Sequence, residues 1–175
     1  MTDPQIQILY DAVTIDKKIA ALGQRLQSDY DDSDPVLVSI LGGSVVFLAD
    51  LLRAIQKPIR YETVQVQYSS SEAKNSVLDI QFPIPLTVKD QTLIVLKDVI
   101  ATGVTETYLN SQFQEMGANQ IRFVALIDLP ELRKSDISVD YQLFTPKKTG
   151  TFVGYGLKLD GRYGSLPYLG RLVTD

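Results

Sequence analysis

Leu93-Ile94-Val95-Leu96-Lys97-Asp98-Val99-Ile100-Ala101-Thr102-Gly103-Val104-Thr105 is the stretch that decides the fold. Its opening residues form a short unbroken apolar run, the pattern of a strand buried on both faces. The turn Asp98 to Gly103 follows the run, and the spacing of Leu109, Phe113 and Met116 predicts a helix from Val104 that stops at Gly117. A strand-to-helix turn of this kind presents free backbone N–H groups and the positive end of a helix dipole, which suit a phosphate. Gly103 admits a ligand close to the backbone, and Thr102 and Thr105 add hydroxyl donors. Ala101, Thr102, Gly103, Val104 and Thr105 are therefore a candidate phosphate-binding turn; an ordinary turn with a threonine cap explains the same residues equally well.

The pattern repeats on either side. Val36 to Ile40 predicts a second buried strand, broken by Leu41-Gly42-Gly43-Ser44 and followed by a helix over 45–55. Ile121 to Ile127 predicts a third strand after the 104–117 helix. Upstream, Ile15, Ile19, Leu22 and Leu26 form one stripe of a helix over 14–26, with Thr14 as its N-cap. Ile59 to Val66, Val139 to Phe144 and Thr151 to Val153 predict further strands. Gln67 to Ser76 is a polar loop or hairpin tip of the kind that acts as a lid. The Gly- and Tyr-rich C-terminal stretch reads as irregular. Strands alternating with helices predict an α/β fold, a central mainly parallel sheet flanked by helices, in a single domain over 1–175. Ligands on such sheets bind at the carboxyl ends of the strands, where both glycine-containing turns fall.

Composition narrows the chemistry. The 175 residues contain no cysteine and no histidine, which excludes disulfides, thiolate or imidazole catalysis, and metal sites built from either. Catalysis would have to use carboxylates, lysines, hydroxyls, backbone amides or a hard metal. Lys+Arg total 17 against 21 Asp+Glu, a net charge of −4 that argues against a nucleic-acid partner. No apolar run reaches membrane-spanning length and the N-terminus lacks a signal-peptide layout, so a cytoplasmic location without a membrane partner is expected.

The 93–105 stretch resembles the phosphoribosyl-diphosphate signature of the type I phosphoribosyltransferases. Gly42-Gly43 with Phe47-Leu48-Ala49-Asp50-Leu51 is similar to the diphosphate loop and following helix of the hypoxanthine-guanine branch. Gln67-Tyr68-Ser69-Ser70-Ser71 resembles the mobile loop of that branch. Val139-Asp140-Tyr141, Phe152-Val153-Gly154-Tyr155-Gly156-Leu157 and Arg162-Tyr163 through Leu166-Pro167-Tyr168-Leu169-Gly170 are similar to its C-terminal region in order and spacing. The resemblance spans nearly the whole chain. It implies the type I fold with a small hood containing the C-terminal segment. The implied reaction is Mg²⁺-assisted transfer of ribose 5-phosphate from phosphoribosyl diphosphate to a purine, and the implied assembly is a homodimer or homotetramer. By position, it assigns Leu41, Gly42 and Gly43 to a diphosphate loop, Phe152, Val153 and Leu129 to a purine pocket, and Tyr68 and Ser69 to the mobile loop. Phe152 is then either a purine-stacking ring or a core aromatic at a strand start.

Several family positions hold other residues here. The signature carries two adjacent acids and, three residues after the second, the acid that accepts the purine proton; this chain has Lys97-Asp98 and Ala101. Alanine cannot carry a proton. Asp98 is left as a ribose contact or as an acid favoured by a nearby helix dipole. Leu41 stands for a basic residue, Leu129 for the purine-binding lysine, Lys158 for a metal-binding acid and Gly164 for a late arginine; Asp160 and Arg162 lie close enough to stand in for the last two. Lys97 and Lys158 are new anion contacts or solvated replacements. Together these residues predict a phosphoribosyltransferase fold that has lost purine salvage while keeping a phosphate or nucleotide site. The alternatives are an active salvage enzyme, with Mg²⁺ as its cofactor, and a non-catalytic subunit that pairs with an active paralogue.

Overall fold

The structure is a computed structural model that describes residues 4–70, 76–81 and 87–173. In chain order its elements are β1 (Ile6–Tyr10), α1 (Ala12–Asp29), β2 (Val36–Ile40), α2 (Ser44–Ala54), β3 (Arg60–Ser70), β4 (Ser76–Gln81), β5 (Thr92–Ile100), α3 (Val104–Glu115), β6 (Gln120–Asp128), a 3₁₀ turn at Pro130–Leu132, β7 (Tyr141–Phe144), β8 (Phe152–Val153) and β9 (Leu169–Leu172).

The unbroken apolar runs become the inner strands, as expected. All of β2 is buried, and Leu93 to Leu96 of β5 are fully enclosed. The main sheet has the order β4-β3-β2-β5-β6-β7, with β3, β2, β5, β6 and β7 parallel and β4 antiparallel at one edge. Alternation along the strands divides the core in two. Leu37, Ile94, Leu96, Val124 and Leu126 pack against α1 and α2, through Ile15, Ile19, Phe47 and Leu51. Val38, Leu93, Val95, Phe123 and Ala125 pack with Leu109 and Phe113 of α3.

Helix α3 shows how packing outweighs propensity. Its sequence, Val-Thr-Glu-Thr-Tyr-Leu-Asn-Ser-Gln-Phe-Gln-Glu, is a weak helix former. Burying Leu109 and Phe113 contributes about 1.5–3 kcal/mol each. Its end is closed by Gly117 at φ 87°, with Gly117 N–H on Gln114 O and Ala118 N–H on Phe113 O, both 2.9 Å. That is a Schellman closure, and only a glycine adopts the φ without strain.

The strand order sets the position of the site. Helix α2 carries the chain from β2 to β3 on one side, and α3 carries it from β5 to β6 on the other. The order therefore reverses between β2 and β5, and the loops that leave these two strands face each other across a crevice. Those loops are Leu41–Gly43 and Ala101–Gly103.

The structure corrects or narrows the sequence expectations in three places. The first helix starts at Ala12, and Asp11 is its N-cap: Asp11 Oδ1 accepts the Thr14 N–H at 2.8 Å, so Thr14 is the capped donor and not the cap. Gln67 to Ser76 reads as a loop or a hairpin tip, and Gln67 to Ser70 take the hairpin and not the loop, as the end of β3. Beyond Ile40, where β2 ends, β3 finds a new partner in β4, with Gln67 opposite Asp79 and Ser70 opposite Ser76. Tyr68 and Ser69 thus lie in a hairpin arm, and 71–75 lie outside the described residues. Finally, the C-terminal stretch is not wholly irregular. β9 pairs with β1 and β8 in a three-stranded antiparallel sheet, Ile6 opposite Leu172 and Val153 opposite Gly170, which forms the small hood. Tyr10 stacks on Phe144 of β7 at 4.0 Å between ring centroids, fastening hood to core.

The corrected cap is open to a direct check. Asp11→Ala lowers the urea midpoint of unfolding, Asp11→Asn retains most of it, and Thr14→Ala leaves it near the parent value; the reverse order would restore Thr14 as the cap.

Candidate active site at the strand ends

Three chain segments meet at the crevice. Gly43, which opens α2, donates its N–H to Asp98 Oδ2 at 2.9 Å. Asp98 Oδ1 accepts the Val99 N–H at 2.8 Å and lies 3.1 Å from Lys97 Nζ. A Cβ on Gly43 would fall 2.6 Å from Asp98 Oδ2 and 2.8 Å from Leu157 Cδ2, so only glycine lets the three approach. Lys97 therefore has a role that the sequence did not indicate: it is the counter-ion of Asp98, with both side chains about four-fifths buried.

The third segment is a pair of tight hairpins. Gly154 and Leu157 exchange backbone hydrogen bonds of 3.0 Å around Tyr155 (φ 49°) and Gly156 (φ 94°). Leu159 and Arg162 exchange bonds of 3.1 and 2.8 Å around Asp160 (φ 49°) and Gly161 (φ 76°). Two central residues of positive φ make the turn whose twist matches its strands. Tyr155 pins the first hairpin to α2 by donating its hydroxyl to Asp50 Oδ2 at 2.5 Å. Burial, followed by the adjacent Asp50 carboxylate, raises the Tyr155 pKa far above its ordinary value, so it remains a donor.

The candidate phosphate turn has the expected helix-opening geometry, with Gly103 at φ 79° and its carbonyl accepting the Thr107 N–H at 2.9 Å. The segment after the 3₁₀ turn lies across it. Lys134 N–H donates to Thr102 O at 2.9 Å, and a Cβ on Gly103 would fall 2.2 Å from Ser135 Oγ and 3.0 Å from Arg133 Cδ.

Beneath the turn lies a charged cluster that sequence patterning did not reveal. Arg133 pairs with Asp128, both largely buried, and Arg133 Nη1 is enclosed without a partner among the described residues. Glu106, in the first turn of α3, is 3% exposed. Its burial raises its pKa; its own backbone amide, Lys97 and Arg133 oppose the rise, and Asp98 adds to it. The sequence signal was available, because Glu106 precedes Leu109 and Phe113 at core spacing and so occupies a core position of the helix.

The residues assigned to a purine pocket are all buried. Leu129, Phe152 and Leu157 are 6–8% exposed and belong to one cluster, with Val99 and Ala101 packed against it. Val153 is fully buried beside them in β8. Leu129 also borders a cleft of about 150 Å³ with Pro130 and Pro146. A larger cleft of about 430 Å³ opens between Gly42, Val45 and Val46 on one side and Gly156, Lys158 and Gly161 to Ser165 on the other. Leu41 is half-exposed just before the Gly42-Gly43 turn. Asp160 is exposed at the tip of its hairpin and does not border the larger cleft.

Residues 5–159 match the model of the phosphoribosyl transferase domain. The hypoxanthine-guanine phosphoribosyltransferase of Bacillus subtilis is 32% identical over 167 residues, covering 95% of this chain and 92% of that protein. The one from Streptococcus mutans is 34% identical over 171 residues, covering 97% and 94%. The chain belongs to the hypoxanthine-guanine phosphoribosyltransferase family. Solved members share its architecture. A hypoxanthine phosphoribosyltransferase from Staphylococcus aureus superposes with a TM-score of 0.88 at 27% identity, covering 98% of this chain and 92% of that one. The Trypanosoma cruzi enzyme in complex with the product IMP gives 0.86 at 26%, covering 99% and 96%. No helix among the described residues is long and apolar enough to cross a membrane.

The family implies Mg²⁺, and the side chains present do not suit it. Mg²⁺ needs oxygen donors in near-octahedral array. Both Asp98 oxygens are already engaged by two N–H groups and Lys97, Ala101 offers no ligand, and Lys158 brings a cation to the cleft where an acid would be needed.

Glu106 generates a pH prediction. Its folded pKa is raised, so the folded state holds the proton more tightly than the unfolded chain. The resulting stabilisation is fully present below the ordinary value of 4.5 and is lost as pH rises through the raised value. Glu106→Gln removes this dependence. Between pH 4.5 and neutrality, the parent loses stability relative to the variant in urea titrations; parallel curves would show that Glu106 is not shifted.

Proposed function

We propose that this chain is a phosphoribosyltransferase-family protein that binds a phosphate-bearing nucleotide ligand at the strand ends and does not sustain purine salvage. The observation that carries this is the engagement of Asp98. The last signature acid is held by Gly43 N–H at 2.9 Å, Val99 N–H at 2.8 Å and Lys97 at 3.1 Å, so it serves the architecture of two loops.

Transfer of a ribosyl group to a purine develops positive charge on the sugar and negative charge on the departing diphosphate, and it releases a purine proton. The chain supplies little for any of these. Ala101 accepts no proton, a loss that costs ~10²–10⁴-fold in rate. Leu129 gives the purine's exocyclic oxygen no donor, and a missing fixed donor to a developing charge costs ~10²–10³-fold. Such effects act as a unit and do not simply multiply. The backbone around Thr102 to Thr105 is independent of these side chains, which is why phosphate binding and turnover separate in this reading. A cytoplasmic homodimer or homotetramer goes with it, on the strength of family membership.

A second reading, an active purine phosphoribosyltransferase, is favoured by the 32–34% identity to named enzymes across more than nine-tenths of the chain. One assay separates the two: diphosphate release from phosphoribosyl diphosphate with hypoxanthine, guanine or xanthine. Background rates are expected, also for Lys97→Glu/Ala101→Asp, in which Leu41, Leu129 and Lys158 remain. Turnover by the unmodified protein at the level of the Bacillus subtilis enzyme, assayed alongside, would overturn the proposal.

A further inference from the structure

We infer that the 430 Å³ cleft between the Gly42 turn and the Lys158–Ser165 loop binds a diphosphate group through side-chain cations alone, without a divalent metal. This rests on the reading of a phosphate-binding family member and names how one part of that ligand is held.

The cleft has cations and no counter-ions. Lys158 and Arg162 both border it and are exposed, and neither has an ion-pair or side-chain hydrogen-bond partner among the described residues. Asp160, the acid between them in sequence, is turned out to the hairpin tip and does not border the cleft. Arg162 is brought to the same rim as Lys158 by the Leu159–Arg162 hairpin, which leaves only two residues in its turn.

The Lys158 stem has a built seat. A Cβ on Gly164 would fall 2.8 Å from Lys158 Cγ and 3.3 Å from Gly156 O, so the bare backbone at 164 makes room for the lysine's methylenes. The two positions are coupled: any side chain at 164 would displace Lys158. Packing the stem also limits the rotamers that the lysine loses on binding an anion. The opposite wall is made of Gly42 and the exposed Val45 and Val46, which add no negative charge.

The sign of the metal effect follows from the charges. A site built on carboxylates needs Mg²⁺ to accept diphosphate, so the metal raises affinity. A site built on an ammonium and a guanidinium attracts the uncomplexed anion, and Lys158 repels a divalent ion. Mg²⁺ in solution then only lowers the charge of the ligand.

Calorimetric titration of the full chain with inorganic diphosphate, GDP and GMP, each in EDTA and in excess Mg²⁺, tests this. Diphosphate and GDP are expected to bind in EDTA, to bind equally or more weakly with Mg²⁺, and to exceed GMP. Tighter binding of GDP than of diphosphate assigns the group to a nucleotide, and equal binding assigns it to the free anion; both support the inference. Lys158→Asp is expected to weaken diphosphate about tenfold or more and Arg162→Gln by several-fold, since bonds to charged groups are the strong ones. Lys17→Ala, an exposed cation on α1, is the control and leaves affinity unchanged. Binding that requires Mg²⁺, indifference to Lys158→Asp in a variant with a parental circular-dichroism spectrum, or no binding of diphosphate would overturn the inference. The turnover assay reads chemistry and this titration reads binding without an acceptor base, so each can fail alone.

Discussion

The hydrogen bond from the Gly43 amide to the Asp98 carboxylate is the contact on which the site depends. It joins the end of β5 to the start of α2 at the point where the strand order reverses, the one place in such a sheet where two loops diverge and leave a crevice. The contact is short because Gly43 has no Cβ, and Leu157 of the C-terminal hairpin closes on the same spot. A carboxylate four-fifths buried is costly without compensation, and Lys97 supplies it at 3.1 Å. Removing one partner from such a group costs more than the pair contributes, since the other charge is left enclosed. Lys97, Asp98 and Gly43 are thus one structural unit, and a lysine in place of an acid is what makes the unit neutral.

The same logic orders the surroundings. Arg133 is held by Asp128 and passes over Gly103, so the loop after β6 is fixed to the Ala101–Gly103 turn just as the hairpin at Leu157 is fixed to the Gly42-Gly43 turn. Glu106 lies between these two charged pairs and feels both Lys97 and Arg133, and burial still outweighs them in setting its protonation. The turn therefore rests on a floor of ionisable groups.

How much of this the sequence disclosed depends on the range of the interactions. The inner strands were legible because Val36 to Ile40 and Leu93 to Leu96 are buried on both faces and carry no charged residue. The hood was legible through the family resemblance and the short strand at Thr151 to Val153, but its pairing was not, because Ile6 pairs with Leu172 across nearly the whole chain and β8 has only two residues. Asp160-Gly161 is a strong local hairpin signal that a reading of the C-terminal stretch as irregular passed over. Asp11 and Thr14 both suit a cap, and the choice between them lies in one backbone hydrogen bond. In the site, the glycine turns were legible as backbone features. The pairing of Lys97 with Asp98 was not, because it depends on which face of a strand meets which neighbour, and the burial of Glu106 was signalled only by its core spacing with Leu109 and Phe113.

What the chain has kept and what it has replaced then separate along a physical line. Features that rest on backbone geometry are present: the Gly42-Gly43 turn, the left-handed Gly103 that opens α3, and the hairpin glycines at 154, 156 and 161. At 97, 101, 129 and 158, where the family resemblance implies acids and a purine-binding lysine, the residues are apolar or cationic. The result is a local charge opposite to that of the whole. The chain carries −4, which repels an anion at long range, while the cleft presents Lys158 and Arg162 with no acid on its wall. Screening decides between the two. At physiological ionic strength, exposed charges farther than ~8 Å from the ligand contribute little, and the two cations at contact distance dominate. The acidic surface then slows the approach of an anion without determining where it comes to rest, and lower salt lengthens the reach of both terms together.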